Sequence, residues 1–167
     1  NGSVVTGGCA DNGGDSSAVR AELQGGVEQI YATSFAFAAV KGNGSVVTWG
    51  RARGGGDSSA VHDELQGDVQ QIYSTREAFA AVKGNGSVVT WGGAHYGGDS
   101  AAVRTDLRGD VQKIYSTKQA FAAVNSNGSV VTWGHAQYGG DSAAVRTDLR
   151  GDVKQIYSTA SAFAAVK

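Results

Sequence analysis

Proline and methionine are absent from this 167-residue chain, cysteine occurs once, and charge of one sign never dominates. Without proline, chain reversals must rest on Gly, Asn and Asp, and 26 glycines are available for them. A single cysteine, Cys9, excludes an intrachain disulfide. The lack of methionine even at position 1 is read as a processed product or a fragment. No apolar run approaches the ~20 residues of a membrane-spanning helix, so no membrane insertion is expected. Lys and Arg number 14 against 15 Asp and Glu, a net charge of −1. A nucleic-acid partner or an anionic bilayer surface asks for a basic patch, and this balance argues against both. Catalytic signatures are missing as well. No Ser/His/Asp order, phosphate loop or CxxC can be assembled, and His62, His95 and His135 lack metal-ligand spacing. The expectation is a chain with no catalytic residues, no cofactor and no metal site.

What the chain does have is a period. Asn1, Asn43, Asn85 and Asn127 each open an Asn-Gly-Ser-Val-Val-Thr run, so the step is 43 − 1 = 42 residues, repeated without insertion. A fixed period of this length marks a solenoid or a propeller. We divide the single repeat domain, 1–167, into units 1–42, 43–84, 85–126 and 127–167. In the second unit Ser45 to Trp49 and Ala78 to Val82 read as apolar strands. The hairpin following Ala78 to Val82 turns on Lys83-Gly84-Asn85-Gly86, where Asn and Gly tolerate positive φ. Val69 to Ser74 is a third strand. Between Gly50 and Val69 the pattern predicts a short helix over 58–66, with Asp57 as N-cap, Val61 and Leu65 on one face and Gly67 as the C-terminal glycine. The fold class is therefore mainly β. Each of the four 42-residue repeats holds a three-stranded antiparallel meander and a short helix, giving propeller-like blades or, alternatively, an open β-solenoid. Three short strands cannot cover both of their own apolar faces, and stacked neighbours can.

Several of these runs resemble a known repeat. Val-x-x-Ile-Tyr-Ser, Ala-Phe-Ala-Ala-Val-Lys, Asn-Gly-Ser-Val-Val-Thr-Trp-Gly and a Gly-Gly pair, in that order, resemble the regulator of chromosome condensation repeat. They are similar to the short three-stranded blades of the secreted β-lactamase-inhibitor propeller of that class. The signature falls on Trp49-Gly50, Trp91-Gly92 and Trp133-Gly134, with hairpin turns at Asn43-Gly44, Asn85-Gly86 and Asn127-Gly128. The resemblance implies a propeller blade and a role in protein binding.

Candidate recognition residues come from comparing the units with one another. After Trp-Gly they read Arg51-Ala52-Arg53, Gly93-Ala94-His95-Tyr96 and His135-Ala136-Gln137-Tyr138. After Ser-Thr they read Arg76-Glu77, Lys118-Gln119 and Ala160-Ser161. Variable loops on a rigid scaffold suit recognition. Arg51, Arg53, His95, Tyr96, His135, Gln137 and Tyr138 are the candidate binding set, with the two tyrosines as exposed anchors. Asn1, Asn43, Asn85 and Asn127 also satisfy the N-glycosylation pattern, which would suit an extracellular, secreted protein, although a hairpin turn by itself accounts for Asn-Gly. Asp15, Asp57, Asp99 and Asp141 follow Gly-Gly and read as caps rather than Ca²⁺ ligands, since each loop holds one acid.

One hairpin is split. Its second strand opens the chain at Asn1–Thr6 and its first strand closes it at Ala162–Lys167. The ends have three possible fates: meeting within one chain, joining two chains in a ring, or propagating a filament. The expected function is thus a repeat scaffold binding protein or glycan through its loops. The alternative is a structural homo-oligomer that assembles head-to-tail from its own copies into an extracellular filament or layer.

Overall fold

The computed structural model describes residues 1–167 and contains eleven strands in four antiparallel sheets. β1 (Val27–Ala32), β2 (Ala36–Lys41) and β3 (Val46–Gly50) form the first sheet. β4 (Val69–Ser74), β5 (Ala78–Lys83) and β6 (Val88–Gly92) form the second, and β7 (Val111–Ser116), β8 (Ala120–Asn125) and β9 (Val130–Gly134) the third. The fourth has only β10 (Gln155–Ser158) and β11 (Phe163–Val166). Each full sheet is a meander with its middle strand in register: Phe37, Phe79 and Phe121 lie opposite Trp49, Trp91 and Trp133. The sheets do not close into a ring. The opening segment Asn1–Thr6 forms no sheet strand and does not complete β10–β11, so the ends do not meet within this chain.

The apolar composition of the middle strand follows from this stacking. Ala78, Phe79, Ala80 and Ala81 are completely buried, as are their equivalents Ala120 to Ala123. One face of the first sheet (Ala36, Ala38, Val40, Val46) packs on the opposite face of the second (Ile72, Phe79, Ala81, Val89, Trp91). The second and third sheets repeat the arrangement. A strand sandwiched on both faces has no polar side to present, which is why it reads as a continuous apolar run.

Two features join consecutive sheets. The indole N–H of Trp49, Trp91 and Trp133 donates to the carbonyl of Gly13, Gly55 and Gly97, each at 3.0 Å, in the loop before that tryptophan's own sheet. The same indoles stack on Phe37, Phe79 and Phe121 with centroids 5.2–5.3 Å apart. Each of these glycines has φ near +100° and no space for a side chain: a Cβ on Gly55 would lie 2.5 Å from the Phe79 ring. The second feature is a backbone ladder at the turns between the first and second strands. Ser34 N–H donates to the Arg76 carbonyl, Arg76 N–H to Lys118, and Lys118 N–H to Ala160, at 2.9–3.0 Å.

The predicted helix over 58–66 is not an α-helix. The segment makes two 3₁₀ turns, Ser59–Val61 and Asp63–Leu65, and the third unit makes one seven-residue 3₁₀ stretch, Ala101–Leu107. This connection runs from the outer strand of one sheet to the inner strand of the next, and a 3₁₀ turn rises further per residue than an α-helix, about 2.0 against 1.5 Å. Leu23, Leu65 and Leu107 anchor it, each at most 2% exposed. The left-handed residue also falls one position later than expected. Asp68, Asp110 and Asp152 have φ of 65–66° where Gly67 was expected to take that role, and Gly26 occupies the position in the first unit.

Candidate functional site

Pairing register decides which loops share an end of the array. Ala36 lies opposite Gly50, Ala78 opposite Gly92 and Ala120 opposite Gly134. The turn before each middle strand and the loop after each outer strand therefore emerge together. They are tied by a buried threonine. Thr75 Oγ1 donates to the Tyr96 carbonyl at 2.8 Å and accepts from Ala78 N–H at 3.1 Å; Thr117 does the same with Tyr138 and Ala120. Thr33 holds the Gly54 carbonyl in the first sheet, again at 2.8 Å. The Asn-Gly hairpins lie at the other end.

Four repeat positions carry a different residue in every unit: Cys9/Arg51/Gly93/His135, Asp11/Arg53/His95/Gln137, Ser34/Arg76/Lys118/Ala160 and Phe35/Glu77/Gln119/Ser161. The loop end gathers them all. Arg51 N–H donates to the Phe35 carbonyl, Gly93 to Glu77 and His135 to Gln119, at 2.7–2.9 Å, so two of the variable positions are hydrogen-bonded neighbours in each three-stranded sheet. Where sheets one and two meet, the guanidinium of Arg51 lies 4.4 Å over the Phe35 ring and that of Arg76 lies 5.9 Å from it. At the inner side of this end, Ser34, Thr75, Arg76, Thr117, Lys118 and Ala160 line an open depression of about 510 Å³.

The structure brings together most of the predicted set and changes the standing of two members. Arg51, Arg53, His95 and Gln137 are exposed, and His135 is half-buried. Tyr96 and Tyr138, expected as exposed anchors, are half-buried. The Tyr96 ring lies over Gly93 and packs against the second core. The Tyr138 ring meets His135 edge-on at 5.1 Å, while His135 Nδ1 accepts from Gln137 N–H at 3.3 Å. Glycine at 93 leaves the first of these rings free to fold inward. Phe35 and Arg76 join the cluster although they lie 16 residues before and 25 after Arg51. Their variability between units was the available signal, and their meeting depends on the stacking.

The remaining candidates have local roles. Asp15 and Asp57 each accept from a backbone N–H two residues on, at Ser17 and Ser59, at 2.9 Å, and Asp99 and Asp141 do the same at Ala101 and Ala143. These bonds favour the ionised form. The backbone N–H of Ser17 and then its side chain hold the Asp15 carboxyl below its ordinary value, and the side chain and then the backbone N–H of Ser59 do so for Asp57. Asn1, Asn43, Asn85 and Asn127 are exposed, and each Oδ1 accepts the backbone N–H two residues on, which in the last three closes the hairpin turn. Cys9 is exposed, as expected for its loop position. The three histidines are not gathered into a cluster of potential metal ligands.

No family model matches the chain, and no curated protein matches it. Solved structures do. Prp20p from Saccharomyces cerevisiae, described with its binding to Gsp1p and histones, aligns at 20% identity over 67% of this chain and 31% of that one, with a TM-score of 0.49. Yeast RCC1 (Prp20) bound to Kap60 aligns at 14% identity over 65% of this chain and 29% of that one, with a TM-score of 0.46. Human WBSCR16 aligns at 19% identity over 65% and 34%, with a TM-score of 0.42. RCC1 proteins are thus among the structures this chain is similar to, and it spans about a third of their length.

Proposed function

We propose that this chain is a non-catalytic repeat scaffold that binds a protein partner through the end of the array bearing the variable turns and loops. The observation that carries this reading is where the units differ most. All four positions that differ in every unit lie at one end. Other positions are as open to solvent yet invariant, including Ala18, Ala60, Ala102 and Ala144 in the connections and the four hairpin asparagines. Positions elsewhere that do vary, such as Ala21/Asp63/Thr105/Thr147 and Glu28/Gln70/Gln112/Lys154, keep one residue in two units.

The cluster of Phe35, Arg51 and Arg76 has the composition of a binding hot spot: an aromatic flanked by two guanidinium groups. With Arg53 and Lys118 nearby, it suits a partner surface that presents carboxylates around an apolar group. The four sequons at the opposite end would keep any glycans clear of the partner. Replacing Arg51, Arg53 and Arg76 with alanine should weaken partner capture by about tenfold or more, since hot-spot truncations cost about 2 kcal/mol or above. Replacing Gln70 and Gln112, exposed near the hairpin end, should leave capture unchanged. Equal capture by the triple-alanine variant and the parent chain would refute the proposal.

A further inference from the structure

The backbone ladder that joins the turns also sets two cations side by side. Arg76 N–H donates to the Lys118 carbonyl at 2.9 Å, so the turns of the second and third sheets are hydrogen-bonded neighbours, with backbones about 5 Å apart. Arg76 and Lys118 occupy the same repeat position, and both are exposed. Ser34 and Ala160, which flank them in the row, carry no charge. The pair belongs to the middle of the array, where the second sheet meets the third.

Both cations line the open depression of about 510 Å³ at the inner side of the loop end, and no carboxylate lines it. Glu77, the adjacent acid, lies on the side of the outer loop, with its Cβ 3.3 Å from where a Cβ on Gly93 would stand. Lys41 and Lys83 donate to the Glu22 and Glu64 carbonyls at 2.9 Å, a kind of bond that neither Arg76 nor Lys118 makes. Ser74 and Ser116 line the same depression, half-buried. Their hydroxyls bond to nothing within the chain, whereas those of Thr75 and Thr117 are engaged by the loop carbonyls.

Two like charges held this close repel, and a dianion set between them replaces the repulsion with two attractions. The donors also outnumber what a carboxylate can use. A carboxylate has two oxygens and one charge, while a phosphate monoester has three terminal oxygens and a charge of about −1.5 to −2 at neutral pH. Arginine offers a planar fork of N–H groups, lysine a mobile ammonium, and the serines two hydroxyls.

We propose that Arg76, Lys118, Ser74 and Ser116 form a subsite for a phosphate dianion, either free or esterified to a side chain of the protein partner. The esterified source rests on the loop-end reading, because the depression lies within that end; the subsite itself does not. The Arg76 guanidinium is also 5.9 Å from the Phe35 ring, so a phosphorylated residue seated here would adjoin the Phe35–Arg51 cluster.

The test is a titration of the isotope-labelled chain at low salt, where such contacts are least screened, followed through the amide resonances. The probes are inorganic phosphate, phosphoserine blocked at both ends, blocked serine and acetate. Inorganic phosphate should shift the Arg76 and Lys118 amides with half-saturation at about 1 mM, the strength of two charge-assisted hydrogen bonds. Acetate should need at least about tenfold more, having half the charge. Blocked serine should shift neither amide. Arg76→Gln and Lys118→Gln should each raise half-saturation about tenfold, and Ser74→Ala with Ser116→Ala about threefold. Arg104→Gln, exposed on the outer connection, should leave it unchanged. Circular dichroism checks that each variant keeps the fold. Binding of blocked phosphoserine assigns the source to a phosphorylated side chain, and binding of inorganic phosphate alone assigns it to the free ion. The proposal is overturned if phosphate leaves both amides unshifted, if acetate or blocked serine matches it, or if both glutamine variants bind like the parent. Arg104→Gln weakening binding as much as they do would overturn it too. Partner capture is read separately with the triple-alanine variant, so either reading can fail while the other stands.

Discussion

Replacing Trp91 with phenylalanine isolates the bond that joins one sheet to the loop before it. Trp91 is 4% exposed, stacks on Phe79 and donates its indole N–H to the Gly55 carbonyl at 3.0 Å. Phenylalanine retains an aromatic ring against Phe79 but has no N–H. Gly55 is buried, so its carbonyl would lose this partner where water has little access, at a cost of about 1–3 kcal/mol. The smaller ring also buries less apolar surface, worth roughly another 1 kcal/mol. Together the loss is about 2–4 kcal/mol, a large part of the stability of an ordinary domain. Urea unfolding followed by far-ultraviolet circular dichroism measures it without relying on the fluorescence of the residue removed. The transition midpoint should fall, while a change in slope would mean that the array no longer unfolds as one unit. Trp91→Phe remaining within 0.5 kcal/mol of the parent, a margin about that of a neutral surface change, would refute the claim that the indole bond joins the repeats.

Two further outcomes follow from the same joints. Gly55→Ala should cost about 2 kcal/mol or more, because it places a Cβ 2.5 Å from the buried Phe79 ring at a φ of +104°, and the same unfolding measurement would detect it. Acid should loosen the connections: Asp15 and Asp57 have lowered carboxyl pKa values in the fold, so their contribution is complete above the ordinary aspartate value and disappears as pH falls through the lowered one. Asp57→Asn should flatten the acid limb of a stability–pH curve below about pH 4, and an unchanged limb would count against the bond from Ser59 N–H stabilising the turn; the N-cap position itself belongs to Ser58, not to Asp57 as the sequence suggested.

Much of the fold was legible in the sequence because the period let four noisy readings confirm one another. The strand Val69–Ser74 was placed to the residue, and the Asn-Gly turns follow from local chemistry repeated every 42 residues. The connection was misread for a physical reason. Val61 and Leu65 are four apart and suggest an α-helix, but the distance to be crossed between outer and inner strands favours extended 3₁₀ turns. Asp68 taking the left-handed position was also hidden, since Gly67 immediately before it is the more permissive residue. At the candidate site the sequence revealed which positions vary, not which of them meet. Phe35, Arg51 and Arg76 converge only when two loops of one sheet and the turn of the next are brought to one end. Tyr96 folds inward because a tertiary core lies beside it, and Tyr138 is half-buried against His135; no local pattern records the first.

The most direct test of the central claim is a hydrogen-exchange footprint of the chain with its captured protein partner bound. The account predicts slowed exchange in the turns and loops at 33–35, 51–54, 75–77, 93–96, 117–119 and 135–138, with the Asn-Gly hairpins at 42–45, 84–87 and 126–129 unchanged. Protection centred on the hairpin end, with the variable end exchanging as in the free chain, would contradict it.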